Sequence, residues 1–307
     1  MTALKSAIDK YMKYLENIES ASPHTLRAYQ IDLDQVFGEI PDTKLNKDLL
    51  TQIRIAQSKW GKLSLATRNR KAACMKSFLG WLFREQMFDQ DYSQQVICPS
   101  VPKKIPHFIS VDEVLAIISF LKNTPNNQAP SPNTPNTLTN LEGQRSSVGQ
   151  TKLLFYIIYG GGLRVSEACR LKWEHIHAET RSIRVLGKGN KERIVVLPTI
   201  VIKLLQQSKL KSPQNTPFVF GPTPLNPRTA YEMIRQLGKQ ANLSKNLHPH
   251  ALRHSYATHM LNNGANLRII QEVLGHESLQ ATEKYTHLGI DQLSQTMNAK
   301  HPLAKIK

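Results

Sequence analysis

Apolar residues recur at helical spacing along most of the chain. Leu4, Ile8, Tyr11, Met12, Leu15 and Ile18 fall on one face and predict a first helix. Ser22 before Pro23 is a helix-start signal, a capping side chain ahead of a proline suited to a first turn. Leu26, Tyr29, Leu33 and Phe37 then form the stripe of a second helix. A third is expected from Leu45 to Trp60. A fourth should start near Ser64 and run to about Gln86, burying Cys74, Phe78, Trp81 and Leu82. The pattern stops at Cys98–Pro106, where Pro99, Pro102 and Pro106 favour an extended interdomain linker.

Beyond the linker, Ser110 and Glu113 have capping-box spacing. An Asn- and Pro-rich stretch from Asn123 to Thr137 reads as a low-complexity surface insert near 123–140. Such an insert is tolerated because loop-closure entropy grows slowly with length. Gln150 to Tyr159 is an apolar helix ending in Gly160-Gly161-Gly162. Ser182–Leu186 and Arg193–Leu197 are β-branched runs on either side of Gly187-Lys188-Gly189-Asn190-Lys191-Glu192, a hairpin with a basic loop. From Ile200 the pattern is helical again, with Gly264 and Gly275 as helix stops. No internal repeat is visible. The expected fold class is mainly α: a helical domain over 1–105, and a mostly helical domain over 106–307 with a small antiparallel β-sheet.

Charge adds a partner to this picture. The 307 residues hold 40 Lys and Arg against 23 Asp and Glu, a formal net charge of +17. Both halves share the excess, the second more strongly, and basicity of this size predicts a polyanion. On the fourth predicted helix, Arg68, Arg70, Lys71, Lys76 and Arg84 are either a solvated face or phosphate contacts, and the overall charge favours phosphate. No run of about 18 apolar residues is present to span a membrane. The first residues lack the apolar core of a secretory signal, and Asp9, Glu16 and Glu19 do not suit a transit peptide. Cys74, Cys98 and Cys169 form no CxxC and fit a reducing, cytoplasmic setting. There is no GxxxxGK[ST] and no HExxH. His248, His250, His254, His259, His276 and His287 crowd one region, but Glu272, Glu277 and Glu283 have no ligand-like spacing to them. No metal site is expected.

The stronger pattern is a set of separated cations ahead of a late tyrosine. Arg164 follows the three glycines, His250 and Arg253 stand at i and i+3, His276 follows Gly275, and Tyr285 lies nine residues on. Each alone has an ordinary explanation: Arg164 and Glu167 as a helical ion pair, Tyr285 as a core residue. Together, LRVSE (163–167), LGKGNKER (186–193), HPHALRHSYATHML (248–261) and LGHESLQATEKYTHL (274–288) resemble the tyrosine recombinases, also called the phage integrase family. SPHTLRAYQIDL (22–33) and TRNRKAACMKSFLGWL (67–82) resemble that family's SAM-like core-binding domain. Length, motif spacing and the final His301-Pro302 point to the Xer subgroup, which resolves chromosome dimers. Two departures stand out: Gly160-Gly161 in place of a small residue and threonine, and the Asn/Pro-rich insert just before that motif.

The resemblance implies a site. Tyr285 matches the nucleophile, Arg164 and Arg253 the pair gripping the scissile phosphate, and Lys188 the hairpin lysine. His250 matches the first histidine of the HxxR motif, His276 the position before the tyrosine, and Glu167 a supporting acid. Arg68, Arg70, Lys71, Lys76 and Lys191 are expected DNA contacts. Such a site uses neither cofactor nor metal, since phosphoryl transfer chiefly needs positioning and neutralised charge. The implied partners are a double-stranded DNA recombination site, a homo- or hetero-tetramer linked through a C-terminal helix at 290–298, and a division-associated DNA translocase. The expected setting is the cytoplasm, at the nucleoid, in chromosome partition. The first core-binding helix starts almost at residue 1, so no arm-binding domain is expected. A mobile-element integrase, a non-catalytic DNA-binding protein and a type IB topoisomerase stand as alternatives.

Overall fold

The computed structural model describes residues 3–19, 21–37, 47–88, 90–102, 108–124, 148–187, 192–213, 216–274 and 295–305. The chain divides into two compact units, Met1–Lys104 and Ile105–Lys307.

The first unit is built from α1 (Ala3–Asn17), α2 (Pro23–Phe37), α3 (Lys47–Lys59) and α4 (Leu65–Arg84). Ser64 caps α4 by accepting a hydrogen bond from the Thr67 N–H, which meets one of the orphan donors at a helix start. Tyr11, Leu33, Leu49, Ile53, Phe78, Leu79 and Leu82 fill the core with almost no exposure. The Tyr11 ring lies 5.2 Å from Phe78 and 5.4 Å from Trp81, both tilted, as aromatic quadrupoles prefer.

The cations of α4 divide. Lys71 is buried, and its Nζ donates to Asp32 Oδ1 at 2.9 Å and to Gln35. Asp32 is itself fully buried and also pairs with Arg70. Here the expectation of phosphate contact fails for Lys71: a buried carboxylate requires a cation more urgently than distant DNA does. Arg68 is engaged as well, donating from Nε to the Leu63 carbonyl at 2.9 Å and from Nη2 to that of Gly61. Lys76 and Arg84 are exposed, and the Arg70 side chain keeps 44% of its surface exposed.

In the second unit α5 (Val111–Asn123) starts with the expected capping box: Ser110 N–H donates to Glu113, and Glu113 N–H to Ser110 Oγ. The remaining elements are α6 (Val148–Gly161), α7 (Val165–Cys169), β1 (Ile176–His177), β2 (Ser182–Leu186), β3 (Glu192–Val196), α8 (Thr199–Lys211), α9 (Pro227–Gln240), α10 (Pro249–Asn262) and α11 (Leu267–Leu274). Every residue of α6 from Leu153 to Gly161 is buried, so this helix is the centre of the unit. Helices α8, α9 and α10 pack around it. The sheet is antiparallel in the order β1-β2-β3. β1 was not expected, since two residues are too few to carry an alternating pattern. Gly264, with φ +81, follows the end of α10 as expected, while Gly275 and the insert over 125–147 lie outside the described residues.

Residues 295–300 are helical and pack on their own unit. Met297 is buried in its core, and its sulfur accepts from Tyr256 Oη at 3.5 Å. Arg181 donates to Asn298 Oδ1 at 2.8 Å, and Asn263 to the Lys300 carbonyl at 2.7 Å. His301 is fully buried. Its Nδ1 accepts from the Leu303 N–H at 3.0 Å, so its Nε2 carries the proton and donates to the Tyr159 carbonyl at 3.3 Å. Met297 therefore packs against its own unit. The first part of the expected linking helix, residues 290–294, lies outside the described residues.

Deleting residues 295–307 is therefore expected to destabilise the second unit. Lost packing at Met297 and Leu303 alone should cost about 2–5 kcal/mol each. Burial pushes the His301 imidazole down to about 3. The unfolded chain binds that proton first, so the folded chain should weaken as pH falls below about 6.5. Thermal melts of the full and shortened chains across pH 5–8 check both points. No described helix is long and apolar enough to cross a membrane.

Candidate active site

The site begins at the turn between α6 and α7. Gly162 takes φ +61, a left-handed conformation. A Cβ there would meet the Tyr256 ring at 2.6 Å. The glycine thus lets the backbone close on α10, and its carbonyl accepts from Arg253 Nη1 at 2.6 Å. Arg253 also donates to the Leu274 carbonyl at the end of α11. Both contacts fix the guanidinium, whose side chain is only 12% exposed.

Arg164 follows at the start of α7. Its N–H donates to Glu167 Oε2 at 2.7 Å and its Nη1 to Oε1 at 2.9 Å. The Arg164 side chain remains 36% exposed, against 4% for Glu167. Arg253 Nη1 lies 3.8 Å from the same carboxylate. Arg193, on β3, makes a fork-to-fork pair with Glu167, Nη1 to Oε1 and Nη2 to Oε2, both at 2.8 Å. Its Nε donates to the Val273 carbonyl at 2.8 Å. One buried carboxylate therefore gathers Arg164, Arg193 and Arg253.

The electrostatics follow. Burial by itself would raise the Glu167 carboxyl; the hydrogen bonds and charge of Arg193, with the bonds from Arg164, outweigh it and hold the group below its ordinary range. Burial first, then the Arg164 charge, lowers Arg253 to about 10, so it stays a cation at neutral pH. Three guanidiniums around one carboxylate leave positive charge in excess. Such a cluster, partly open at Arg164, suits an anion with several oxygens, and guanidinium forks match phosphate geometry.

Of the residues expected in the site, Arg164, Glu167 and Arg253 come together. His250 is exposed in the first turn of α10, ahead of Arg253. Lys188, Lys191, His276 and Tyr285 lie outside the described residues. Pairing of Leu186 with Glu192 closes the ladder at the base of the Lys188 loop. The other described histidines of this region disperse. His248 caps α10, its Nδ1 accepting from Ala251 N–H at 3.0 Å, while buried His259 meets Tyr159 Oη at 2.9 Å. Among the described residues no group of His, Cys, Asp and Glu has the arrangement of a metal site.

Arg193 is the site residue that reading the sequence missed. A signal for it was present. Arg193 is in phase with Val195 and Leu197, both buried, and a charge on the inward face of a strand needs a partner.

Residues 133–290 match the phage integrase family, and residues 8–86 match its N-terminal SAM-like domain. The tyrosine recombinase XerC of Myxococcus xanthus is 33% identical over 321 aligned residues, covering 99% of this chain and all of that protein. The chain belongs to the phage integrase family of tyrosine recombinases, in its Xer-like subgroup. Tyrosine recombinase XerD of Staphylococcus aureus is 31% identical, over 98% of this chain and all of that protein. Among solved structures, a lambda integrase dimer bound to a COC′ core site shares the fold at TM-score 0.66 and 17% identity, over 93% of this chain and 98% of that one. XerH recombinase bound to its difH substrate shares it at TM-score 0.61 and 22% identity, over 95% and 82%. As a tyrosine recombinase, the chain falls in the activity class of site-specific DNA strand breakage and rejoining.

Proposed function

We propose that this recombinase resolves chromosome or plasmid dimers at a specific DNA site through a 3′-phosphotyrosine intermediate. The observation that carries the reading is the convergence of Arg164 and Arg253 on buried Glu167, which holds two guanidiniums at one place. The Glu167 carboxylate restrains them. The exposed part of Arg164 faces outward to a non-bridging phosphate oxygen, and Arg253 supports the same phosphate with His250 and His276. Tyr285 attacks the phosphorus. The P–O5′ bond breaks, the phenol proton leaves to a base, and Lys188 donates a proton to the departing 5′ oxygen. A 5′ hydroxyl from the partner strand then reverses the step. The phosphoester is conserved throughout, so rejoining needs no nucleotide.

Residues 1–105 serve as the core-binding domain and 106–307 as the catalytic domain. DNA contact falls to exposed cations such as Arg70 and Lys76, with Lys191 on the hairpin. The assembly is a tetramer on paired sites, in line with the DNA-bound relatives, and it acts at the nucleoid. Mapping covalent protein–DNA adducts in cells tests the reading. One discrete site, which then supports recombination between two copies but little relaxation of a plasmid without it, is expected. Relaxation irrespective of sequence, or no adduct, overturns it.

Lys188→Ala separates the proton donor from a mere phosphate anchor. Cleavage should slow by about 10²–10⁴-fold, the usual contribution of a positioned acid, with binding little changed. A 5′-bridging phosphorothiolate, whose leaving group needs no proton, should rescue Lys188→Ala far better than Arg164→Ala. Equal lack of rescue would assign Lys188 to the anchor role.

A further inference from the structure

Arg193 holds the carboxylate at the centre of the site, yet it has no place in the chemistry above. Its side chain is buried and its guanidinium is fully engaged, so it is not offered to a phosphate in this arrangement. All three of its guanidinium nitrogens are committed. Two hold the two oxygens of Glu167, and the third holds the Val273 carbonyl. These acceptors lie on different elements: Glu167 on α7, beside Arg164, and Val273 near the end of α11. Arg193 itself is the second residue of β3, at the foot of the loop that contains Lys188. One planar, rigid group therefore joins three segments that each lead to a residue of the proposed site.

The geometry also explains why the carboxylate is aimed. Glu167 has two oxygens, and Arg193 occupies one lone pair on each. What remains is offered to the Arg164 N–H and Nη1, at 2.7 and 2.9 Å. Without the fork the carboxylate is free to rotate, and Arg164 loses a fixed anchor. A lysine keeps the charge but cannot reproduce a planar three-acceptor geometry.

We propose that Arg193 is a positioning residue for strand cleavage, acting through Glu167 on Arg164 and through the Val273 carbonyl on the end of α11. The proposal rests on the reading of Arg164 and Arg253 as the phosphate-gripping pair. The test is single-turnover cleavage by the full chain on a nicked duplex carrying the mapped site, with Arg193→Lys, Arg193→Gln and Arg164→Ala. Each is run on a phosphodiester and on a methylphosphonate at the scissile position. The methylphosphonate lacks the negative charge that the guanidiniums must neutralise, so cleavage depends less on their aim.

Arg193→Lys should bind the site as the wild type does and cleave the phosphodiester about 100-fold more slowly, as expected for a misplacement near 1 Å. On the methylphosphonate that gap should narrow to within about tenfold. A purely structural role would depress both substrates by the same factor, and that result overturns the proposal. Wild-type cleavage by Arg193→Lys overturns it too. Arg193→Gln keeps an N–H donor without charge and serves if the lysine variant melts; unfolding of both assigns Arg193 to the fold and rejects the proposal. If Arg164→Ala is inactive while Arg193→Lys is normal, only this proposal fails. If Arg164→Ala cleaves normally, the reading of the site fails first.

Discussion

Tyr285→Phe is expected to leave no covalent protein–DNA adduct on a nicked suicide duplex. The variant lacks the only atom proposed to bond to phosphorus, and no neighbouring water can substitute for it in forming an enzyme-linked product. A free tyrosine has a pKa of about 10, so roughly one in a thousand is phenolate at pH 7. On the proposed reading, the cationic cluster around Glu167 would make attack by so weak a nucleophile feasible, by favouring negative charge on the phenol and on the phosphate oxygens. Binding should be unchanged, because loss of one hydroxyl removes no charge. Gel shift and a denaturing gel of the same reactions measure the two quantities. An adduct of wild-type yield in the Phe variant would remove Tyr285 from the role and direct the search to another hydroxyl.

Glu167→Ala is expected to be strongly destabilising to the second unit. The carboxylate is nearly inaccessible and binds Arg164 and Arg193 directly, with Arg253 at 3.8 Å. Its removal leaves buried guanidiniums without a counterion, and breaking a buried pair this way costs about 3–5 kcal/mol. Denaturant unfolding of the full chain measures it, read as the transition of the second unit. The sign with pH follows from the direction of the shift. Glu167 is held below its ordinary range in the folded chain. Its contribution is complete above the unfolded value of about 4.3 and is lost as pH falls through the lower folded value. The wild type should therefore lose stability at acid pH where Glu167→Ala has little left to lose. Parallel acid dependence in both would mean that the carboxylate contributes no net stability.

The Glu167 result also bears on how catalysis and folding share residues here. A phosphate grip needs guanidiniums held close together, which their mutual repulsion opposes. Burial of Glu167 between them supplies the opposing charge at the point of convergence, at a cost offset by four hydrogen bonds from Arg164 and Arg193, charge-assisted and stronger than neutral ones. The same arrangement makes the site sensitive to acid and to loss of any one member.

Much of this molecule was legible in its linear pattern. The helix starts at Ser64 and Ser110 are local: a side chain and an N–H three residues apart decide them without reference to the rest of the chain. The continuous apolar run of α6 likewise required burial on all sides. Candidate residues Arg164, Glu167 and Arg253 were legible because their motifs are long and ordered. What only the tertiary structure decided is where charges find partners. Lys71 looked like any exposed cation of a basic helix, yet it is committed to Asp32, a residue 39 positions earlier. Arg193 sat unnoticed within a motif, though it pairs with Glu167 across 26 positions. Met297 lies on the C-terminal helix expected to link subunits, yet Tyr256 and the core of its own unit receive its side chain. Periodicity reports which face of an element is apolar, a property of neighbours within one or two turns. Pairing of buried charges and docking of a tail depend on which distant segments meet, and that is set by the packing of the whole domain.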